Sequence, residues 1–150
     1  MTAADIMTRT VHTITAAAPL RECMALMVRE GISGLPVCEG DRVVGIITTG
    51  DVIKRIRRQV PWAGFFMDGT TMPMGADSGE SLHTLLAELR ERPVRECMTP
   101  HVISVTPDED IQDVAKVMLD RRIKRVPVLE ARRLVGVITR GDLVRGMLAV

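Results

Sequence analysis

Val44-Gly45-Ile46-Ile47-Thr48-Thr49-Gly50-Asp51 stands twice in this chain, returning 91 positions later as Val135-Gly136-Val137-Ile138-Thr139-Arg140-Gly141-Asp142. At the same spacing Ile32-Ser33-Gly34-Leu35-Pro36-Val37 returns as Ile123-Lys124-Arg125-Val126-Pro127-Val128, and Ile6-Met7-Thr8 as Cys97-Met98-Thr99. Each half is too short to bury a sizeable core alone, so two copies are expected to pack face to face about an approximate two-fold axis. The groove between the copies is then where function is expected.

Within each copy the hydrophobic pattern reads β-α-β-β-α. A short extended piece (Val11 to Thr15; Val102 to Thr106) leads into an amphipathic helix, which carries Leu20, Cys23, Met24 and Met27 in the first copy and Ile111, Val114, Ala115 and Met118 in the second. Pro19 and Gly31 bracket the first of these helices, and Thr106-Pro107-Asp108-Glu109 reads as a capping box ahead of the second. Two Val/Ile-rich strands joined by a tight turn follow, Leu35 to Glu39 with Arg42 to Thr48, and Val126 to Glu130 with Arg133 to Thr139. A second helix is expected to start at Thr48 and at Thr139. The organisation is repeat 1 at 1–58, an insert or linker at 59–93, and repeat 2 at 94–150. The insert is Gly-, Pro- and Met-rich from Pro61 to Gly79 and ends in an amphipathic helix over 81–92 that carries Leu82, Leu85, Leu86 and Leu89, read as a lead-in to the second copy.

Composition narrows the classes. With 150 residues, 46% hydrophobic and 26% charged, the chain reads as an ordinary soluble globular protein, and its formal charge of +1 supplies no global field for nucleic acid or membrane. Three scattered cysteines, Cys23, Cys38 and Cys97, form no C-x-x-C pair and no even-numbered disulfide framework, which fits a reducing cytoplasm. No signal peptide or membrane-spanning run is visible. His12, His83 and His101 lack metal-ligand spacing and read as surface or packing residues, and no catalytic motif is present. The chain is therefore not expected to be an enzyme.

The paired Gly-x-x-Thr-x-x-Asp runs, with the upstream Met-Thr, Leu-Pro-Val and Val-Pro-Val, closely resemble a tandem pair of CBS domains, named for cystathionine β-synthase. The resemblance covers nearly everything but residues 54–93. It implies a mixed α/β (α+β) fold of two βαββα repeats and a regulatory module whose clefts bind adenosine nucleotides (AMP, ADP or ATP) or S-adenosylmethionine, with a homodimer as the common assembly. It implies that Asp51 and Asp142 accept hydrogen bonds from ribose hydroxyls, and that Thr48 and Thr139 stand at helix starts that favour phosphate. It further implies that Ile32, Ser33 and Gly34, with Ile123, Lys124 and Arg125, line the adenine and phosphate pockets. From the residues alone, Thr-x-x-Asp equally describes an N-terminal capping box worth about 1 kcal/mol. The two roles are compatible.

The copies differ in charge: Arg121, Arg122, Lys124 and Arg125 stand where the first copy has Glu30, Gly31, Ser33 and Gly34, and Arg140 stands opposite Thr49. Arg121 and Arg122 suit a solvated helix end, whereas the resemblance implies that Arg125 stands where family members place a phosphate-binding base, so one pocket should bind phosphate better while Gly34 contributes space. The aromatic residues Trp62, Phe65 and Phe66 all fall in the insert beside Met67, Met72 and Met74, where they pack over the first copy, form a dimer or partner contact, or belong to a disordered loop. The leading reading is a stand-alone sensor that needs no cofactor, takes an adenine nucleotide as its regulatory ligand, and signals through an effector protein whose identity the sequence does not give. Alternatives are an S-adenosylmethionine sensor, or a structural or interaction module with degenerate clefts. Nucleic-acid binding through Lys54 to Arg58 with Trp62 and Phe65 is the least favoured, because the basic run is short.

Overall fold

The computed structural model describes residues 1–59, 62–65, 71–73 and 79–150. In chain order the elements are α1 (Ala3–Ile6), β1 (Ile14–Thr15), α2 (Leu20–Glu30), β2 (Gly34–Glu39), β3 (Arg42–Thr48), α3 (Thr49–Gln59), β4 (Trp62–Phe65), β5 (Thr71–Pro73), α4 (Gly79–Glu91), a 3-10 turn (Val94–Glu96), α5 (Ile111–Asp120), β6 (Arg125–Glu130), β7 (Arg133–Thr139) and α6 (Arg140–Leu148). The two expected strand pairs are both present. β2–β3 and β6–β7 are antiparallel hairpins that lie in one five-stranded sheet of order β1-β2-β3-β7-β6, joined at its centre through the Arg42–Arg133 pair. The second hairpin turns on Ala131 (φ 47°) and Arg132 (φ 68°), consecutive left-handed residues whose twist suits a two-residue hairpin although neither is glycine.

The expected stripes face two cores. Leu20, Cys23 and Met27 are buried with Leu35, Val37 and Ile47 in one, and Val114 and Met118 with Val126, Val128 and Ile138 in the other. Burial pushes the Cys23 thiol up to about 11, with Cys97 adding to the shift. Thiol reagents at neutral pH should therefore leave Cys23 unmodified until the chain unfolds. Because ionisation is held back only in the folded state, stability should also fall as pH rises from about 9 through about 11, readable as a drop in Tm.

Three expectations need correction. The capping box at Thr106 to Glu109 does not open α5: Thr106 N–H does donate to Glu109 (2.8 Å), but the cap is Asp110, whose carboxylate accepts from Gln112 N–H at 2.9 Å. The extended piece at 102–106 pairs only at Val105, which bridges Val128 where the first copy has β1. Helix α4 packs on the first copy rather than leading into the second, because Leu89 is buried with Leu20 and Val52, and Arg21 pairs with Glu91 at 3.0 Å. The insert also contains an antiparallel β4–β5 pair that its Gly/Pro content had masked. The side chains of Trp62, Phe65, Phe66, Met67, Met72, Met74 and Leu82 lie outside those described.

The two repeats trade their leading segments. Thr99 exchanges backbone hydrogen bonds with Ile46 of the first copy (2.8 and 3.0 Å), and Thr8 does the same with Val137 of the second (2.9 and 3.0 Å). Val94 belongs to the first core and Ala3, from the helix α1 that sequence reading missed, to the second. Two glycines make room for this exchange. A Cβ on Gly45 would stand 2.5 Å from the Met98 sulfur, and one on Gly136 would stand 2.5 Å from that of Met7. Gly45→Ala and Gly136→Ala should each cost about 1–3 kcal/mol by overpacking, measurable by denaturant unfolding.

Candidate functional site

Helix α3 begins with a reciprocal cap. Thr48 N–H and Oγ–H donate to Asp51 Oδ2 at 2.9 and 3.1 Å, and Asp51 N–H donates back to Thr48 Oγ1 at 3.2 Å. The capping role is therefore real, and it consumes only one carboxylate oxygen. Oδ1 accepts from Thr99 Oγ1 at a long 3.4 Å, and Asp51 is half-buried, so acceptor capacity remains. The Ser33 carbonyl takes the Thr49 N–H at 2.9 Å, tying the start of β2 to the head of the helix.

Asp51 opens on a cleft of about 470 Å³ between the repeats, within the size range of small-molecule sites. Of the residues singled out from sequence, Ser33, Thr48, Asp51, Ile123, Lys124 and Arg125 line it. Ile32 instead packs against the first core. Gly34 is buried and contributes space in a different sense from that expected: its missing Cβ, which would fall 2.9 Å from Arg125 Cζ, admits the guanidinium itself. Thr139 and Asp142 form the matching cap on α6 (2.7, 2.8 and 3.3 Å) but do not line this cleft.

Sequence reading missed several residues that do line the cleft. Ile46 and the first turn of α3 contribute, as do Thr99, His101 and Ile103. These last three alternate along one extended segment, so a period-two reading outward from Met98-Thr99 would have found them. His101, read from sequence as a surface or packing residue, stands in the cleft, as do Lys54 and Arg122.

The cleft is electropositive. Lys54, Arg122, Lys124 and Arg125 face a single lining carboxylate, Asp51. Arg125 is the most constrained of the four: one nitrogen donates to the Gly34 carbonyl at 2.6 Å and another to Ser33 Oγ, while Nε is buried without a partner. Burial lowers its pKa from the usual arginine value. Among the described residues no carboxylate pairs with it, so a half-buried cation is held on neutral partners alone.

Arg122 carries backbone strain. It ends α5 in the left-handed region (φ 54°), where the first copy has Gly31 (φ 63°), and in both copies the next N–H closes back on the helix at 3.0 Å. Arg122→Gly should therefore raise unfolding stability by about 0.5–1 kcal/mol while removing a cation from the cleft. A gain in Tm together with weaker anion binding is the expected outcome.

The fold and cleft together define a class: a duplicated βαββα unit, its leading segments exchanged, with a cationic cleft between the repeats. The family model described as "CBS domain" matches residues 3–58 and 94–149, and the chain belongs to the CBS-domain family. It is 33% identical over 137 residues to protein MJ1426 of Methanocaldococcus jannaschii, an alignment covering 86% of this chain and 81% of that one. The structure of MJ1225 from the same organism superposes with a TM-score of 0.77 at 27% identity, over 97% of this chain and 47% of that one. The structure of CBSX2 in complex with AMP superposes with a TM-score of 0.73 at 24% identity, over 99% and 96% of the two chains, and shows a shared fold. Among the described residues no helix is long and apolar enough to cross a membrane, and no group of three or more His, Cys, Asp or Glu residues is placed to hold a metal ion.

Proposed function

We propose that this chain is a regulatory module without catalytic chemistry of its own, which binds an adenine nucleotide in the Asp51 cleft and passes the signal to an effector protein. The observation that carries the reading is Arg125, a half-buried guanidinium with no carboxylate partner among the described residues, in a cleft whose one lining carboxylate has an oxygen engaged only by a long 3.4 Å contact. A phosphorylated nucleoside complements both: its phosphates supply the missing negative charge, and its ribose hydroxyls donate to Asp51. Ile46, Ile103 and Ile123 supply apolar surface for a purine. The AMP bound by CBSX2 in the same fold supports the choice of ligand class.

Charge argues against S-adenosylmethionine, whose sulfonium would enter a cleft lined by four cations. It also weakens the nucleic-acid reading, since Lys54 lines the cleft and Arg55 turns to Glu96 at 3.9 Å, which breaks up the basic run. The homodimer reading is supported by apolar residues exposed at equivalent places in both repeats, Val28 with Leu119 and Ile53 with Val144. A two-fold assembly would cover them together. The unpaired thiols of Cys23, Cys38 and Cys97 support a reducing compartment such as the cytoplasm.

Calorimetric titration with adenosine, AMP, ADP, ATP and S-adenosylmethionine tests the ligand. Phosphorylated nucleotides should bind more tightly than adenosine, and S-adenosylmethionine weakest. Absence of binding by every nucleotide, without any rise in Tm when they are added, would leave the interaction-module reading in its place.

A further inference from the structure

The repeat supplies two aspartates at equivalent positions, but the structure treats them unequally. Asp142 is 5% exposed and both of its oxygens are engaged: Oδ2 accepts from Thr139 N–H and Oγ–H, and Oδ1 accepts from Arg145 one helical turn on. The first copy has Lys54 at the place of Arg145, and Lys54 lines the cleft, where no ion pair joins it to Asp51 among the described residues. Asp142 and Arg145 line a shallow hollow of about 260 Å³ with Met1, Asp5 and Ile6, whose lining does not include the 32–34 segment.

The second half-site also lacks two of the cations of the first, although Arg140 stands there at the place of Thr49. Gly31 and Gly34 stand where the Asp51 side has Arg122 and Arg125, and the space beside Gly34 is filled by the Arg125 guanidinium reaching across from the other repeat. Glu30 stands at the place of Arg121 and lies 3.6 Å from His12, itself at the place of the cleft residue Ile103. On the second side both oxygens of Asp142 are held at short range, whereas on the first, among the described residues, Asp51 Oδ1 meets only Thr99 at a long 3.4 Å and Arg125 is held on neutral partners.

We propose that the module is single-sited: Arg145 is a built-in counter-ion that occupies Asp142 and closes the second half-site to adenine nucleotides. The proposal rests on the Asp51 cleft being the nucleotide site. It makes Arg145 a specificity-determining residue that never touches the bound ligand. A hydroxyl donor arriving at Asp142 would have to displace a charged donor already in place, at a carboxylate nearly closed to solvent.

Titration calorimetry with AMP and adenosine on the full chain, with circular dichroism as the folding control, tests it. The parent should bind one equivalent. Asp51→Ala should weaken AMP by roughly tenfold or more, while Asp142→Ala should leave stoichiometry and affinity within about twofold and lower Tm. Asp142→Asn, which keeps a carbonyl for the cap, serves if the alanine variant does not fold. Arg145→Ala should admit a second, weaker equivalent of adenosine. Two equivalents in the parent, AMP binding lost on Asp142→Asn, or one equivalent retained on Arg145→Ala would overturn the proposal. If the parent binds nothing and Arg145→Ala binds one equivalent, the counter-ion assignment stands and the Asp51 site fails. If neither binds, both fail.

Discussion

Arg125→Ala is expected to lower affinity for AMP, ADP and ATP by roughly ten- to a hundredfold while changing that for adenosine little, because only the phosphates lose a charged donor. The magnitude follows from the setting. The guanidinium is already stripped of much of its water, and its Nε has no partner, so most of the desolvation cost is met before a ligand arrives. Arg125→Lys should recover only part of the loss, since an ammonium cannot reproduce a two-pronged grip. Raising salt should weaken phosphate binding in the parent more than in Arg125→Ala. Equal losses for adenosine and ATP would show that Arg125 shapes the cleft through Gly34 and Ser33 rather than by meeting phosphate.

The second large effect concerns stability. Leu89→Ala should cost about 2–5 kcal/mol in denaturant unfolding although Leu89 lies well beyond the first repeat in sequence, because it is 3% exposed within the first core. Leu20→Ala, in the same core, should combine with it non-additively. Ile138→Ala, in the other core, should add to it nearly independently. Additivity of Leu89 with Leu20 and coupling with Ile138 would place α4 on the wrong repeat.

The 91-residue repeat made the hairpins and the helix stripes legible, because period and spacing are properties of a single strand or helix. The Thr48–Asp51 pair was legible for the same reason, since its cap spans three residues. What escaped was pairing between distant segments. Nothing local to Cys97-Met98-Thr99 says that it lies on β3, so Thr99, His101 and Ile103 were not placed beside Asp51. Equivalence in sequence suggested equivalent surroundings for Asp142, but at position 145 arginine instead of lysine reaches the carboxylate of its own helix. Arg125 was singled out by charge and lines the cleft, but that Gly34 leaves room for it requires the two repeats to be seen together.

The traded leading segments bear on what happens when the chain is cut. A polypeptide ending after α3 would own an arm shaped for the Gly136 notch, which it lacks, and a Gly45 notch with no methionine to fill it. Two such fragments could satisfy each other only by reciprocal arm exchange, so the intact chain is, in packing terms, a swapped pair made permanent by a tether. The tether turns a concentration-dependent encounter into an intramolecular one, and the two halves are obliged to fold as one cooperative body.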